Sequence, residues 1–342
     1  MIGKIKIGEG WVGTGQPVFI IAEAGINHNG EYQKAQDMVD AAAECGADAI
    51  KFQTHLPAQE MLKDGFSAGY VGKSLFTLLK DCQLSEEEHW RLQERAKKKN
   101  IIFLSTPFSR EAADFLLTMG IPAFKTGSGE LTNIPLLEHI ARKNKPMIIS
   151  TGMSTLAEVA RAVTAVRKYN KRIMLMQCTS TYPTEYKDVN LGAMKLLQQR
   201  FRLPVGLSDH SWGIYTALGA AALGAAAIEK HFTLDRDWPG PDQKASIVPA
   251  ELKELVIGAR AIKSALGSKK DVIKEEVPVR KMANESVVSL IDIQPGDEFD
   301  YNNIWVKRPG TGIPAAQMHK VLNRRARRFI HRDSLIKWSD IQ

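Results

Sequence analysis

Polar side chains capable of acid–base or ligand chemistry stand at the ends of short apolar runs along most of this 342-residue sequence. The clearest case is the run 225–228, which stops at Glu229, Lys230 and His231. An apolar run that ends in polar groups is typical of a buried parallel strand whose carboxyl end reaches a functional edge. The same change occurs seven times earlier in the chain. The pattern therefore predicts eight strands whose polar ends meet on one face.

Two lysines and several small hydroxyl groups form the first set of candidate site residues. Lys51 and Lys125 end the second and fourth predicted strands, and the turn 127–129 can present backbone N–H groups to an anion. The hydroxyl groups at the strand ends are those of Thr106, Ser128, Ser150 and Ser208. A single serine there is usually a cap or turn residue. The convergent set predicts a pocket for a small phosphate or carboxylate. Without such an anion, both lysines would lack a partner near the partly dry centre of the barrel.

Two histidines and three acids form the second set. His210 and His231 end the seventh and eighth predicted strands, and imidazoles on neighbouring strands can share one divalent metal ion. A single histidine at such a position is more often a hydrogen-bonded structural residue. Glu23 ends the first predicted strand and suits proton transfer or the orientation of a hydroxyl. Glu229 alternates in phase with His231 and should point the same way, whereas Asp242 lies in a following loop; each acid could instead pair with a lysine.

Eight strand and helix repeats must position these groups. The predicted strands cover 18–23, 49–53, 101–106, 123–125, 146–151, 173–177, 204–208 and 225–231. The predicted helices cover 32–45, 85–98, 110–119 and 249–266, with a further helix capped by Thr155 and Glu158. Eight such repeats in about 250 residues predict a (β/α)8 TIM barrel of the α/β class. A hairpin at 4–16 precedes it, and 54–81 is predicted to be a long loop over the rim.

The composition changes near Gly267 and divides the chain. Residues 1–266 are predicted to form the barrel with its hairpin, and the charged segment 267–279 is predicted to be a linker. Short β-runs and turns in 280–342 predict a small, mostly β domain that is marginal on its own.

Charge and cysteine content limit the class of protein. The net charge of +8 suits an enzyme of anionic substrates, and because the basic residues are spread along the chain, no nucleic-acid partner is expected. Three cysteines without metal-site spacing fit a reducing cytoplasm. No run approaches the roughly 18–20 apolar residues that span a bilayer, so no membrane partner is expected.

Taken together, the motifs at the strand ends resemble those of the sialic acid synthase family. They are IAEAGINHNG at 21–30, KFQT at 51–54, STPF at 105–108, KTGSGE at 125–130, STGM at 150–153, CTSTYP at 178–183, SDH at 208–210, EKHFTLD at 229–235 and GPD at 240–242. VKRPGTGI at 306–313 resembles the antifreeze-like (SAF) domain of that family. The resemblance covers nearly the whole chain, in order.

The resemblance implies condensation of phosphoenolpyruvate with the open-chain aldehyde of an N-acyl hexosamine, giving a nine-carbon 2-keto acid and phosphate by C–O cleavage. It implies a divalent ion on His210 and His231, with manganese expected first and magnesium or cobalt as alternatives. It assigns the substrates to Lys51, Thr106, Lys125, Ser128, Ser150 and Ser208, the reacting centre to Glu23, and the sugar side to Gln53, Tyr182 and Asp242. Arg308 would reach the N-acyl group from a partner's SAF domain, which implies a domain-swapped homodimer.

Several functions remain open at this stage. The first is N-acetylneuraminate synthesis from N-acetylmannosamine; its alternatives use a diacetamido-trideoxyhexose, as in legionaminate or pseudaminate synthesis, or the 6-phosphate of N-acetylmannosamine. Another phosphoenolpyruvate aldol synthase, making a seven- or eight-carbon sugar acid, is disfavoured by the SAF motif. A non-catalytic carbohydrate-binding protein is disfavoured because the candidate acid, lysines and histidines are all present.

Overall fold

Eight parallel strands form the centre of the N-terminal unit, Met1–Gly267, in the computed structural model, which describes residues 3–63 and 74–342. A hairpin of β1 (Lys4–Ile7) and β2 (Gly10–Gly13) precedes them. The eight are β3 (Phe19–Gly25), β4 (Ala49–Thr54), β5 (Ile102–Pro107), β6 (Phe124–Thr126), β7 (Met147–Ser150), β8 (Ile173–Cys178), β9 (Val205–Asp209) and β10 (Ala227–His231). Hydrogen bonds join them in the order β5-β4-β3-β10-β9-β8-β7-β6. Because β5 also lies beside β6, the sheet is a nearly closed barrel.

Helices alternate with the strands and surround the barrel, as the sequence predicts. They are α1 (Tyr32–Glu44), α2 (Pro57–Glu60), α3 (Leu75–Asp81), α4 (Glu86–Lys98), α5 (Arg110–Thr118), α6 (Ile134–Arg142), α7 (Leu156–Arg167), α8 (Gly192–Phe201), α9 (Tyr215–Ala222) and α10 (Pro249–Ala265). The predicted capping boxes at α4 and α7 are present: Ser85 and Thr155 each accept from the backbone three residues on. The largest apolar core lies between the strands and this helical layer. The predicted (β/α)8 fold is confirmed.

The barrel interior changes from apolar to charged along each strand. Ile21, Ala49, Ala123 and Ala227 pack in one apolar cluster that also includes side chains of the β1–β2 hairpin. Two residues further along the same strands stand Glu23, Lys51, Lys125 and Glu229, all buried. Since side chains two apart face the same side of a strand, the charged layer lies directly above the apolar one. The apolar layer therefore keeps water away from the lower side of the charges.

The predicted long loop at 54–81 is wrong in its described part. It contains two short helices, α2 and α3, while 64–73 lie outside the described residues. The Ser74 hydroxyl caps α3 by accepting from Thr77 N, and Leu78 and Leu79 pack against Ile26. Helices of four and seven residues are too short to show a clear apolar period in the sequence. Whether the segment acts as a lid stays a prediction.

The C-terminal unit, Ser268–Gln342, is built on a small antiparallel pair. Its elements are helix α11 (Glu276–Ala283), β11 (Ser286–Ser289) and β12 (Ile304–Lys307), which pairs with β11. Val287, Phe299 and Ile304 lie at the centre of its own apolar core. Helix α11 overlaps the end of the predicted linker, and none of its residues is buried. Among the described residues of the whole chain, no helix has both the length and the apolar character needed to cross a bilayer.

Candidate active site

Two lysines and two glutamates form a buried charged cluster at the carboxyl ends of the strands. Lys51 Nζ lies 2.5 Å from Glu23 Oε2 and 3.8 Å from Glu229 Oε2. Lys125 Nζ lies 3.3 Å from the other oxygen of Glu229. These side chains are no more than 6% exposed. The lysines therefore have partners without a ligand, and the alternative in which an acid pairs with a lysine is the one observed for Glu23 and Glu229, because strand alternation places both carboxylates in the same layer.

The sheet register explains this convergence. Glu23 stands level with His231 on one side and Lys51 on the other, and Glu229 stands level with Ser208. Ser208 donates from Oγ to Glu229 Oε1 at 3.1 Å. Lys51 donates to Thr106 Oγ1 at 3.0 Å. Each charged group is thus held by a neighbour from an adjacent or nearby strand, and the predicted inward direction of Glu229 is confirmed.

The two glutamates have opposite pKa shifts. Burial raises the pKa of Glu23 above its ordinary value, and the attraction of Lys51 offsets this only in part. Burial also opposes ionisation of Glu229, but Lys125 and Lys51 together bring the pKa of Glu229 well below its ordinary value. A pair of carboxyl groups whose pKa values are pushed apart is suited to separate roles. Glu23 is the group able to exchange a proton near neutral pH, and Glu229 is a permanent negative charge.

Two of the predicted hydroxyl groups, those of Ser128 and Ser150, meet just beyond β6 and at the end of β7. Ser128 donates from Oγ to Ser150 Oγ at 3.2 Å and accepts from the backbone N–H of Gly152 at 3.1 Å. A Cβ at position 152 would lie 2.4 Å from Ser180 Oγ and 2.6 Å from Ser128 Oγ. Only glycine leaves this space open. Hydroxyl groups and backbone N–H groups next to a lysine are the donors that bind phosphate or carboxylate oxygens.

His210 and His231 lie together at the ends of β9 and β10. Their ring centroids are 5.3 Å apart, and the Tyr182 ring lies 4.1 Å from His210 and 5.6 Å from His231. His210 Nδ1 donates to the carbonyl of Thr179 at 2.8 Å, so Nε2 is the nitrogen left to face a metal ion. His231 Nδ1 is buried and has no hydrogen-bond partner among residues 3–63 and 74–342; it lies 3.8 Å from Asp242 Oδ2.

The donor set fits a divalent ion in an open site. Burial, followed by His210 and Lys51, lowers the pKa of His231 well below its ordinary value, so this imidazole is in the neutral, ligating form. Burial opposes protonation of His210 as well, but Cys178 outweighs it and raises the pKa of His210, so a metal would displace a proton there. Among the described residues, no three acids, cysteines or histidines converge as a metal cluster. Two imidazoles would leave the other positions to substrate or water.

Three residues near the site were missed by the sequence analysis. Cys178 Sγ lies 3.8 Å from His210 Nδ1, and Glu130 has a buried carboxylate oxygen without a hydrogen-bond partner in the described structure. Cys178 follows Met174 and Met176 on β8 at intervals of two residues. Strand alternation could therefore have predicted that Cys178 faces the barrel interior. The third residue, His55, hydrogen-bonds to Gln53 and lies beyond the end of β4, so strand alternation could not place it.

The structure brings most of the predicted site residues together at one end of the barrel. They are Glu23, Lys51, Gln53, Thr106, Lys125, Ser128, Ser150, Tyr182, Ser208, His210, His231 and Asp242. Burial raises the pKa of Asp242 to about 6. Arg308 lies in the C-terminal unit just after β12, where its exposed guanidinium donates from Nε to the carbonyl of Ala283. The roles assigned to all of them stay predictions.

Comparison with known proteins identifies the family. The sequence profile of the NeuB family matches residues 38–271, and that of the SAF domain matches 284–342. The N,N'-diacetyllegionaminic acid synthase of Legionella pneumophila is 40% identical over 96% of each chain. The N-acetylneuraminate-9-phosphate synthase of Homo sapiens is 36% identical, covering 87% of this chain and 85% of that protein.

A solved structure gives the same result. The crystal structure of N-acetylneuraminic acid (sialic acid) synthetase from Leptospira borgpetersenii, in complex with citrate, superposes with a TM-score of 0.76 at 36% identity. The match covers 82% of this chain and 95% of that one. The resemblance inferred from the strand-end motifs is confirmed: this chain belongs to the NeuB family of sialic acid-type synthases and carries a C-terminal SAF domain.

Proposed function

We propose that this chain is a cytoplasmic sialic acid synthase, which condenses phosphoenolpyruvate with the open-chain aldehyde of N-acetylmannosamine to give N-acetylneuraminate and phosphate. The observation that carries the proposal is the buried cluster of two lysines and two glutamates beside two imidazoles at the carboxyl ends of the strands. This is the face on which barrel enzymes carry out their chemistry.

Lys51 and Lys125 are the residues that we assign to phosphoenolpyruvate. Both contact the same carboxylate, that of Glu229, so they can also contact one anion of similar size. The Ser150 hydroxyl, which accepts from Ser128, can donate its own proton to a phosphate or carboxylate oxygen, and the Gly152 N–H fixes the Ser128 hydroxyl beside it. Because these groups are already fixed by the strands, they need little reorganisation as charge moves during the reaction.

Glu23 is the group that we assign to proton transfer. A C–C bond forms between the enol carbon and the aldehyde carbon, and water then adds at C2 of the former enol. The C2–O bond breaks, and phosphate leaves. One proton of the water ends on the former aldehyde oxygen and the other on phosphate. A buried carboxyl group with a raised pKa can accept and return such protons near neutral pH.

His210 and His231 are the residues that we assign to a divalent ion, manganese first, with magnesium or cobalt as alternatives. When bound, such an ion supplies Lewis-acid stabilisation of the negative charge that develops on the aldehyde oxygen. Thr179 orients the His210 ring through Nδ1, and the unpartnered Nδ1 of His231 is the observation in favour of a missing ligand. Tyr182 and Asp242, which lie against the imidazoles, are placed to contact the sugar.

A second candidate substrate is a diacetamido-trideoxyhexose, the precursor of a legionaminic or pseudaminic acid. It is favoured by the higher identity to the Legionella pneumophila enzyme, 40%, than to the human one, 36%. The chemistry at the cluster is the same for either sugar. The difference concerns only the groups that contact the sugar.

Phosphate release from phosphoenolpyruvate tests the proposal. The assay is run with manganese and, in parallel, N-acetylmannosamine, its 6-phosphate and the two diacetamido-trideoxyhexoses. We expect release with N-acetylmannosamine, and its loss in Lys125→Met. Release with one other sugar alone would replace the substrate but keep the reaction class. Absence of release with all four, together with no binding of phosphoenolpyruvate, would contradict the proposed function.

A further inference from the structure

Gln53 connects the central carboxylate to a second buried hydrogen-bonded pair. Its Nε2 donates to Glu23 Oε1 at 3.2 Å, and its Oε1 lies 2.9 Å from His55 Nε2. In this arrangement the amide nitrogen of Gln53 faces Glu23, which accepts the hydrogen bond at Oε1. The amide oxygen then faces His55, and this ring must donate from Nε2. One orientation of the Gln53 side chain therefore satisfies both neighbours.

Three contacts fix the His55 ring. Its Nδ1 lies 2.9 Å from Glu60 Oε1, at the end of α2, and its face stacks on Phe108 with centroids 4.2 Å apart and 13° between planes. The side chains of His55 and Glu60 are only 7% and 5% exposed. Both ring nitrogens therefore have a hydrogen-bond partner. The Phe108 stack and the Glu60 contact together hold the ring so that Nε2 points at Gln53.

We propose that His55, held by Glu60 and Phe108, is a positioning residue that fixes the amide of Gln53 and, through it, the carboxylate of Glu23. This inference rests on the proposed function, in which Glu23 transfers the protons. It gives α2 and the residues just beyond β4 a part in the reaction without contact with substrate. An amide cannot readily pass a proton along the chain, so the contribution is one of orientation.

The expected effect is a loss of turnover rather than a loss of anion binding. Lys51 is also held by Thr106 and Glu229, and Lys125 is held by Glu229, so the KM for phosphoenolpyruvate should stay close to its wild-type value. A carboxylate that has lost its supporting donor is displaced from the reacting atoms, and small displacements cost on the order of 10²-fold in rate. We expect a fall of about that size in kcat and in kcat/KM for the sugar when His55 can no longer donate to Gln53.

Two amide substitutions separate orientation from general damage. In His55→Gln the amide nitrogen reaches the place of Nε2 and can still donate to Gln53; in His55→Asn it reaches only the place of Nδ1. We expect His55→Gln to keep most of the activity and His55→Asn to show the full loss, with similar melting temperatures. His139→Gln, at a partly exposed histidine paired with Asp114, is the matched control and should behave as wild type.

Crystal structures of both variants provide a test that does not depend on activity. We expect Gln53 Nε2 to stay within hydrogen-bond distance of Glu23 in His55→Gln and to leave it in His55→Asn. A retained Gln53 to Glu23 contact with wild-type kinetics in His55→Asn would overturn the inference, and so would equal losses in the two variants. If wild-type protein releases no phosphate with any sugar, the proposed function fails, while these structures still decide whether His55 orients Gln53.

Discussion

Glu229 is the residue on which the charge balance of the site depends. It pairs with Lys125 and Lys51, while Glu23 pairs with Lys51 alone. All four groups are buried, so the free energy of the folded state depends strongly on every charge having a partner. An incoming trianionic substrate must share the lysines with Glu229. The carboxylate therefore stabilises the free enzyme by occupying the cations that the substrate will use.

Glu229→Gln should destabilise the free protein and increase its response to substrate. Loss of one buried partner costs about 3–5 kcal/mol of unfolding free energy, because a lysine is left without a counter-charge. Phosphoenolpyruvate can supply that charge, so saturating substrate should raise the melting temperature of the variant more than that of wild type. Thermal unfolding with and without phosphoenolpyruvate measures both effects. Glu9→Gln, at an exposed pair with Lys6, is the control and should change neither.

His231→Ala should abolish metal-stimulated phosphate release while leaving the barrel folded. The unpartnered Nδ1 in the wild-type protein indicates that the ring is not needed to satisfy a buried polar neighbour. Isothermal titration calorimetry with manganese should show that the variant has lost the metal site. Its circular dichroism spectrum should match that of the wild-type protein. Wild-type protein that keeps full activity in excess chelator would contradict the assignment of both histidines.

His28 should make the fold sensitive to acid. Burial, with a smaller contribution from His89, lowers the pKa of His28 to about 4. In the unfolded chain a histidine has a pKa of about 6.5. Between pH 4 and pH 6.5, therefore, the unfolded state binds one more proton than the folded state. The contribution of neutral His28 to the free energy of unfolding is fully present above pH ~6.5. It falls as the pH decreases towards 4, by up to about 3 kcal/mol.

Urea unfolding of His28→Asn against wild type at pH 7 and pH 4.5 isolates this contribution. An asparagine oxygen can replace Nδ1 as the acceptor for Gly30 N–H, which lies 3.1 Å away, and it does not titrate. The variant should lose less stability than wild type between the two pH values. Equal losses would assign the acid sensitivity to other groups.

At the scale of elements, Lys230 and Asp209 join β9 to β10 on the side of the strands opposite the charged cluster. Lys230 Nζ lies 3.0 Å from Asp209 Oδ2, and both side chains are fully buried. Thr216 and the backbone N–H of Ser211 also donate to Asp209, and Lys230 donates to the carbonyl of Ser211. Asp209 directly precedes His210 in the chain, and Lys230 directly precedes His231. The pair therefore holds together the two strand ends that carry the imidazoles.

Lys230→Met should cost about 3–5 kcal/mol of unfolding free energy, because it leaves a buried carboxylate without its cation. The double variant Lys230→Met with Asp209→Asn should recover much of that loss, since neither charge remains. Urea unfolding of the two single variants and the double variant measures the coupling free energy. Additive losses would contradict the role of the pair as a joint between β9 and β10.

The strands and the site layer could be predicted because both follow from alternation along a strand. Every inward charged residue lies two positions after an apolar one, which is visible in the sequence. The pairing of Glu229 with both lysines needs the three-dimensional order of the strands, which local sequence does not contain. Helix α3 was missed because tertiary packing of Leu78 and Leu79, rather than a long amphipathic period, supports it. His55 was missed for a related reason: its direction is set by Glu60 and Phe108 after the strand ends.

At the scale of the whole molecule, the barrel and the SAF domain are separate units joined through the segment around Gly267. The apolar core of the SAF domain consists of its own side chains. Helix α11 exposes Val277, Val279 and Met282. We propose that two chains form a homodimer in which each SAF domain covers the partner's barrel, and that Arg308 then contacts the N-acyl group of the sugar.

Arg308→Ala should raise the KM for the sugar far more than the KM for phosphoenolpyruvate. The guanidinium is exposed just beyond β12 and, within the described part of the chain, hydrogen-bonds to the Ala283 carbonyl alone, so its removal should leave the SAF core intact. A polar contact made equally in the ground and transition states changes KM and leaves kcat nearly constant. Steady-state phosphate release with each substrate varied in turn measures the two constants.

Mixed dimers decide whether Arg308 acts across subunits. Arg308→Ala and His231→Ala chains are each expected to be impaired alone, one in its SAF domain and the other in its barrel. In a dimer of one chain of each kind, domain exchange joins the intact barrel to the intact SAF domain and restores one complete site of two. We therefore expect activity to reappear on mixing and refolding the two variants, at up to about a quarter of wild type, because half of the dimers are mixed and each has one site. Mass spectrometry must first show that mixed dimers have formed. If these dimers recover no activity, Arg308 acts on the barrel of its own chain and the domain exchange is contradicted.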